Sequence, residues 1–171
     1  MIRSTLITAT AAALLLPLPL SAQGSLKVGV QNMRLAMELC LRNYRTKEAL
    51  QPAFENAGFE LRPSIDPEIV DFQAPGLAGG FRHIGPQGYC NLESPDVPVA
   101  LAQEMSLKLS ESLFPGKVVL GSPEKQAGAP SPPCEGLTIF ATQTLILINY
   151  SSAGNSGDCV NDGTSLIQIQ M

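Results

Sequence analysis

Residues 30–42 (VQNMRLAMELCLR) place Met33, Leu35, Ala36, Met37, Leu39, Cys40 and Leu41 on one broad arc and Asn32, Arg34, Glu38 and Arg42 on the other. That spacing predicts an amphipathic helix. A second helix is predicted over residues 97–114, where Leu101, Met105, Leu109 and Leu113 recur every four residues beside Val97, Ala102 and Phe114. Asp96 is positioned to cap it, Pro98 suits its first turn, and Pro115 with Gly116 stops it. Between the two, Thr46 and Gly58 bracket a short third helix, with Pro52 forcing a kink or a start at Gln51. Glu38 with Arg42 and Glu104 with Lys108 are acid-to-base pairs at i,i+4, each worth only tenths of a kcal/mol.

Extended segments fill the rest. Residues 59–62 and 69–73 alternate weakly, and residues 81–84 and 89–92 read as one interrupted strand pair around Gly85 and Pro86. Residues 75–80 (PGLAGG) read as a flexible loop, and 121–133 (GSPEKQAGAPSPP) as a surface loop of polyproline character. Residues 117–120 form a short strand. Residues 137–141 and 145–150 are rich in branched side chains and read as strands. The unbroken apolar run of residues 145–148 predicts that both its faces are covered. The last six residues (LIQIQM) alternate cleanly, with Ile167, Ile169 and Met171 on one side and Gln168 and Gln170 on the other, so the chain is expected to end in a strand inside the sheet. A helix followed by extended pieces and a cysteine-bearing turn occurs twice, without a residue-level repeat to support it. The order predicts an α+β fold: an antiparallel sheet with two or three helices packed on one face and two disulfides.

The first two dozen residues change the picture of where that domain lives. Arg3 precedes an uncharged apolar stretch at residues 6–20, and Ser21, Ala22 and Gln23 follow as small and polar residues. This is the order of a cleavable secretory leader, expected to cover residues 1–23 and to leave residues 24–171 as one domain. The stretch is short for a membrane span, which needs about 20 residues, and Pro17 and Pro19 oppose one, so no membrane anchor is expected after cleavage. The whole chain carries 11 basic and 15 acidic residues, net −4; losing Arg3 leaves 10 against 15, net −5. A mildly acidic chain without a basic block gives no support for nucleic acid as a partner.

Export puts the four cysteines in an oxidising compartment, periplasmic or extracellular. Cys40, Cys90, Cys134 and Cys159 allow three pairings; Cys40–Cys90 with Cys134–Cys159 is favoured because the second pair brackets a predicted hairpin. Loop closure alone assigns these bridges about 4 and 3.5 kcal/mol. Their spacings fit neither a redox C-x-x-C nor a zinc knuckle.

Candidate chemistry is sparse. Asp66, Glu68 and Asp71 form a small acidic cluster, with Arg82 and His83 a loop away; paired carboxylates do acid–base work only when their pKa values are driven apart. His83 is the sole histidine. The sequence at 154–158 (GNSGD) lacks the last glycine of a G-x-S-x-G elbow. Val160 and Ile169 stand where a calcium loop from Asp158 requires oxygen ligands, which leaves Asn161, Asp162 and Gly163 as a turn. Asn149-Tyr150-Ser151 fits a glycosylation sequon. Neither a cofactor nor a metal site is expected. The reading that follows is an exported, non-catalytic binding or inhibitor module for a protein or small-molecule ligand. The alternatives are a small hydrolase built on Asp66, Asp71 and His83, or a structural envelope protein.

Overall fold

A computed structural model describes residues 20–84, 87–121, 134–154 and 159–171, with side chains from Gly24 onward. Among the described residues there are three α-helices: α1 (Leu20–Arg42), α2 (Leu50–Asn56, entered through a 3-10 turn at Lys47–Ala49) and α3 (Val99–Leu113). Eight strands accompany them: β1 (Glu60–Pro63), β2 (Ile69–Ala74), β3 (Leu77–Arg82), β4 (Tyr89–Ser94), β5 (Val118–Leu120), β6 (Leu137–Ala141), β7 (Thr144–Ser151) and β8 (Ser165–Gln170). They form one antiparallel sheet in the order β1-β2-β3-β4-β8-β7-β6-β5, with the helices packed on one face.

That order is two helix-plus-meander halves joined back to back. The halves meet where β4 pairs with β8, from Tyr89 opposite Gln170 to Ser94 opposite Ser165. Both halves use a two-residue hairpin at the same place, Pro75 and Gly76 between β2 and β3, Thr142 and Gln143 between β6 and β7. The second residue of each lies in the left-handed region, Gly76 at φ 71° and Gln143 at φ 70°. The two-fold echo in the sequence is therefore a repeat of topology. Glycine serves a second purpose at position 76, because a Cβ there would lie 3.0 Å from the Cα of Gly29 on α1. Ser94 locks the same junction by donating to the Gly76 carbonyl at 2.7 Å.

Several elements depart from the expectation. The helix expected at residue 30 begins at Leu20, since nothing in residues 20–29 breaks it and Gly29 seats the helix backbone against the hairpin. Among the described residues the first side chain packed against the core is Leu26. The flexible loop expected at residues 75–80 is a correction: Pro75 and Gly76 are the turn, and Leu77 starts β3. Glycines enter this strand because neighbours occupy the space of their side chains. A Cβ on Gly79 would meet the Phe72 ring at 2.5 Å, and one on Gly80 the Asp71 carboxylate at 2.9 Å. Asp96 does not cap α3; Pro98 holds that position, and the Ser94 hydroxyl instead accepts from the amides of Asp96 and Val97, both at 3.2 Å. Thr46 makes no capping hydrogen bond either. Pro52 sits in the first turn of α2, where no intrahelical amide bond is lost. Residues 122–133 and 155–158, which hold most of the proline-rich loop and of the GNSGD sequence, lie outside the described residues.

The core lies between the helices and the sheet. Met33, Met37 and Leu41 of α1 are fully buried in the same core as Leu92 and Ile167 of the sheet, while Phe54, Phe59, Phe72 and Phe81 form an aromatic cluster under α2. Both favoured disulfides are present: Cys40–Cys90 ties the end of α1 to β4, and Cys134–Cys159 ties the entry to β6 to the loop before β8. On the other half, Tyr150 is buried beneath α3 beside Ser106, whose hydroxyl is already donated to the Ala102 carbonyl. The Tyr150 hydroxyl has no hydrogen-bond partner of its own.

Burial pushes the Tyr150 phenol far above its ordinary pKa of 10.0, and the neighbouring Ser106 acts in the opposite direction. The folded protein thus holds this proton where the unfolded chain releases it. The stability it represents is whole below about pH 10 and drains away as pH rises further. Tyr150→Phe removes both the ionisable group and an unpaired donor, so urea unfolding at pH 7 is expected to show the variant equal to the wild type or about 1 kcal/mol more stable. The gap in its favour should widen above pH 10; a constant gap would contradict the assignment.

Candidate binding face

The pleat of the sheet sends alternate residues to opposite faces. Val70, Phe72, Phe81, Leu92, Ile167 and Ile148 go under the helices. Their neighbours form the other face, over which no described helix packs. Register aligns that face in rows across the strands. One row runs Asp71, Gly80, Asn91, Gln168, Asn149; the next runs Gln73, Ala78, Glu93, Leu166, Ser151.

The two halves of this face differ in chemistry. On the N-terminal half, Arg82 reaches Glu68 at 3.5 Å and Asp66 at 3.9 Å, and its guanidinium lies 5.5 Å above the Tyr89 ring. The Tyr89 phenol titrates above its ordinary value, mainly through burial; Arg82 pulls it down and Asp66 and Asp71 push it back up. On the C-terminal half, Phe140 and Leu145 stand opposite each other on β6 and β7 and are 50% and 48% exposed, with Val119 exposed on β5 beside them. Exposed large apolar side chains at adjoining positions mark an interaction surface more often than isolated ones do. This corrects the expectation for residues 145–148. Ile146 and Ile148 are buried, but Leu145 and Leu147 point to the open face. Where the halves meet, a groove of about 520 Å³ runs between Arg82, Tyr89 and Asn91 on one side and Gln168, Leu145 and Leu147 on the other.

The residues expected to carry hydrolysis are not brought together. Asp66 turns its carboxylate back on its own loop, accepting from the Glu68 amide at 2.9 Å, and both acids flank Arg82. Asp71 lies on the open face above Gly80. His83 borders a different groove, between Gln51 and Glu55 of α2 and the β1–β2 end of the sheet, where its Nδ1 is buried without a hydrogen bond. Cys40, Cys90, Cys134 and Cys159 are all committed to disulfides. Among the described residues no cluster of three His, Cys, Asp or Glu side chains is arranged to hold a metal. Asp162 accepts from the amide and hydroxyl of Thr164, at 2.9 and 2.7 Å, and this fixes the turn before β8. The sequon residue Asn149 lies within β7, with Tyr150 and Ser151 buried beside it.

Sequence reasoning assigned no role to Tyr89, Asn91, Phe140 or Leu145. One signal was present: the alternation of Gln168 and Gln170 with buried isoleucines shows that the face opposite the core is polar there. No family model matches the chain, and no curated protein or solved structure shows significant similarity to it. The fold and the face define a class: a disulfide-linked α+β domain whose described helices all pack on one face of the sheet. None of its described helices is long and apolar enough to cross a membrane.

Proposed function

We propose that this protein is an exported, non-catalytic binding module, periplasmic or secreted, which recognises another protein through the open face of its sheet. The observation that carries the reading is that the described helices cover one face of an eight-stranded sheet, with Tyr89 near the middle of the other face and Phe140 and Leu145 exposed on it. Size supports a protein ligand. Seven strand spacings of about 4.8 Å by strands of about 20 Å give a footprint of roughly 650–700 Å². A standard protein interface takes about 800 Å² from each partner. Two disulfides and the uncharged apolar stretch at residues 6–20 support export.

The test is selection of disulfide-cyclised random peptides displayed against the immobilised protein at 0.15 M salt. Selected peptides are expected to lose at least tenfold in affinity against Leu145→Glu and to bind normally to Leu35→Glu, an exposed position on α1. Peptides indifferent to Leu145→Glu would place recognition elsewhere and remove the open face from the proposal.

A further inference from the structure

The open face has a trough along β3. From Leu77 to Arg82, the residues that point outward before Arg82 are Ala78 and Gly80, so this strand offers a floor almost without side chains. Ile69 and Asp71 of β2 wall one side; Tyr89, Asn91 and Glu93 of β4 wall the other, with Leu166 of β8 beyond them. The recess measures about 460 Å³. Its walls are apolar or aromatic low down, at Ile69, Tyr89 and Leu166, and carry carboxylates at Asp71 and Glu93. Two arginines lie close by: Arg62, opposite Asp71 on β1, is paired with Glu60, and Arg82 is engaged with Glu68 and Asp66, so neither forms an ion pair with Asp71. Asp71 and Glu93 are both exposed and have no ion-pair partner among the described residues.

We infer that this trough receives a lysine or arginine side chain from the partner protein, an inference that rests on the open face being the recognition surface. A long cationic side chain matches what the trough presents: its aliphatic stem lies along the apolar walls while its head reaches the two carboxylates. Gly80 is in register with Asn149 on β7, three strand spacings or about 14 Å away, and Leu145 lies four residues further along that strand, so a partner seating a cation over Gly80 reaches Leu145 and Phe140 with apolar side chains about 20 Å from it. A second copy of the exported chain is a poor occupant: without Arg3 it has 10 basic against 15 acidic residues, net −5, and it would meet a face whose described unpaired charges, Asp71 and Glu93, are acidic.

A double-mutant cycle tests it. The probes are the display-selected cyclic peptides and their counterparts in which each arginine is replaced by citrulline, its uncharged isostere, or each lysine by acetyl-lysine. The targets are the wild type and the Asp71→Asn/Glu93→Gln variant, two exposed substitutions whose folding is checked by amide spectra. Neutralising the peptide is expected to weaken binding at least tenfold to the wild type and less than threefold to the variant. Equal losses on both targets, or no loss on either, overturn the cation site. If those same peptides remain sensitive to Leu145→Glu, the cation site alone has failed. Insensitivity to Leu145→Glu removes the open face and the inference together.

Discussion

Phe54→Ala is expected to lower the unfolding free energy by about 3–5 kcal/mol, the range for emptying an aromatic site in a packed core. Phe54 is fully buried, and its ring lies 5.0, 4.6 and 4.8 Å from those of Phe59, Phe72 and Phe81. Removing it strips three aromatic contacts at once. Two features keep the cavity from collapsing. The seven-residue α2 is held down by only two buried side chains, Leu50 and Phe54, so half its attachment goes with the ring. Beneath it, Phe72 already presses on Gly79, which leaves the ring little room to swing into the void without opening the β2–β3 ladder. At about 2–4 °C per kcal/mol for a domain of this size, the melting temperature should fall by about 10 °C. Phe140→Ala is the matched control. It removes the same ring from the exposed face, and its effect on stability should stay within about 0.5 kcal/mol. A Phe54→Ala variant as stable as Phe140→Ala would mean that α2 is not docked as described. Comparing melting curves for the two variants also separates the two aromatic sets by role, because the proposed recognition surface predicts that Phe140→Ala weakens peptide binding while leaving the fold intact.

The parts of the fold that the sequence revealed are those in which one local pattern has a single outcome. The four-residue recurrence of Leu101, Met105 and Leu109 is a helix whatever surrounds it, and α3 buries Met105 and Leu109. Alternating isoleucine and glutamine at the C-terminus is a strand half-buried in a sheet, and β8 lies between β4 and β7. The cysteine pairing was legible because the ends of a hairpin must meet. Where identity depends on a distant neighbour, the pattern failed. Gly79 and Gly80 look like a loop until Phe72 and Asp71 are known to lie across them. Leu145 and Leu147 look like core residues until the described helices are known to pack on the opposite face. The open face belongs to this second kind. Asp71, Gly80, Asn91 and Gln168 come from four strands spread over nearly a hundred positions, and no window of sequence contains them together. The three described helices, one of only seven residues, are too few to cover both faces of a sheet eight strands wide.

Loss of the Cys40–Cys90 bridge is the second large effect expected. Loop closure over a separation of 50 residues is worth about 4 kcal/mol, against about 3.5 for the 25 residues between Cys134 and Cys159, so chain entropy barely distinguishes the two bridges. Position distinguishes them. Cys40 and Cys90 are both fully buried, at the point where α1 meets a central strand of the sheet, while Cys159 is exposed on the loop before β8. Thiol–disulfide exchange requires a thiolate to reach a sulfur along the S–S axis, so access governs which bridge opens. Under a few millimolar reductant without denaturant, intact mass is expected to rise first by about 2 Da, with Cys134 and Cys159 alone becoming alkylated. The second 2 Da should appear only at the rate of global unfolding. Cys40→Ala/Cys90→Ala adds a core void to the lost constraint, so it should cost at least the roughly 4 kcal/mol of closure and more than Cys134→Ala/Cys159→Ala does. Reduction of both bridges at one rate in the native protein would show that the α1–β4 junction opens as readily as the surface loop. The proposed binding face would then lose its rigid backing, because β4 supplies Tyr89, Asn91 and Glu93 and is held in register from behind by that disulfide.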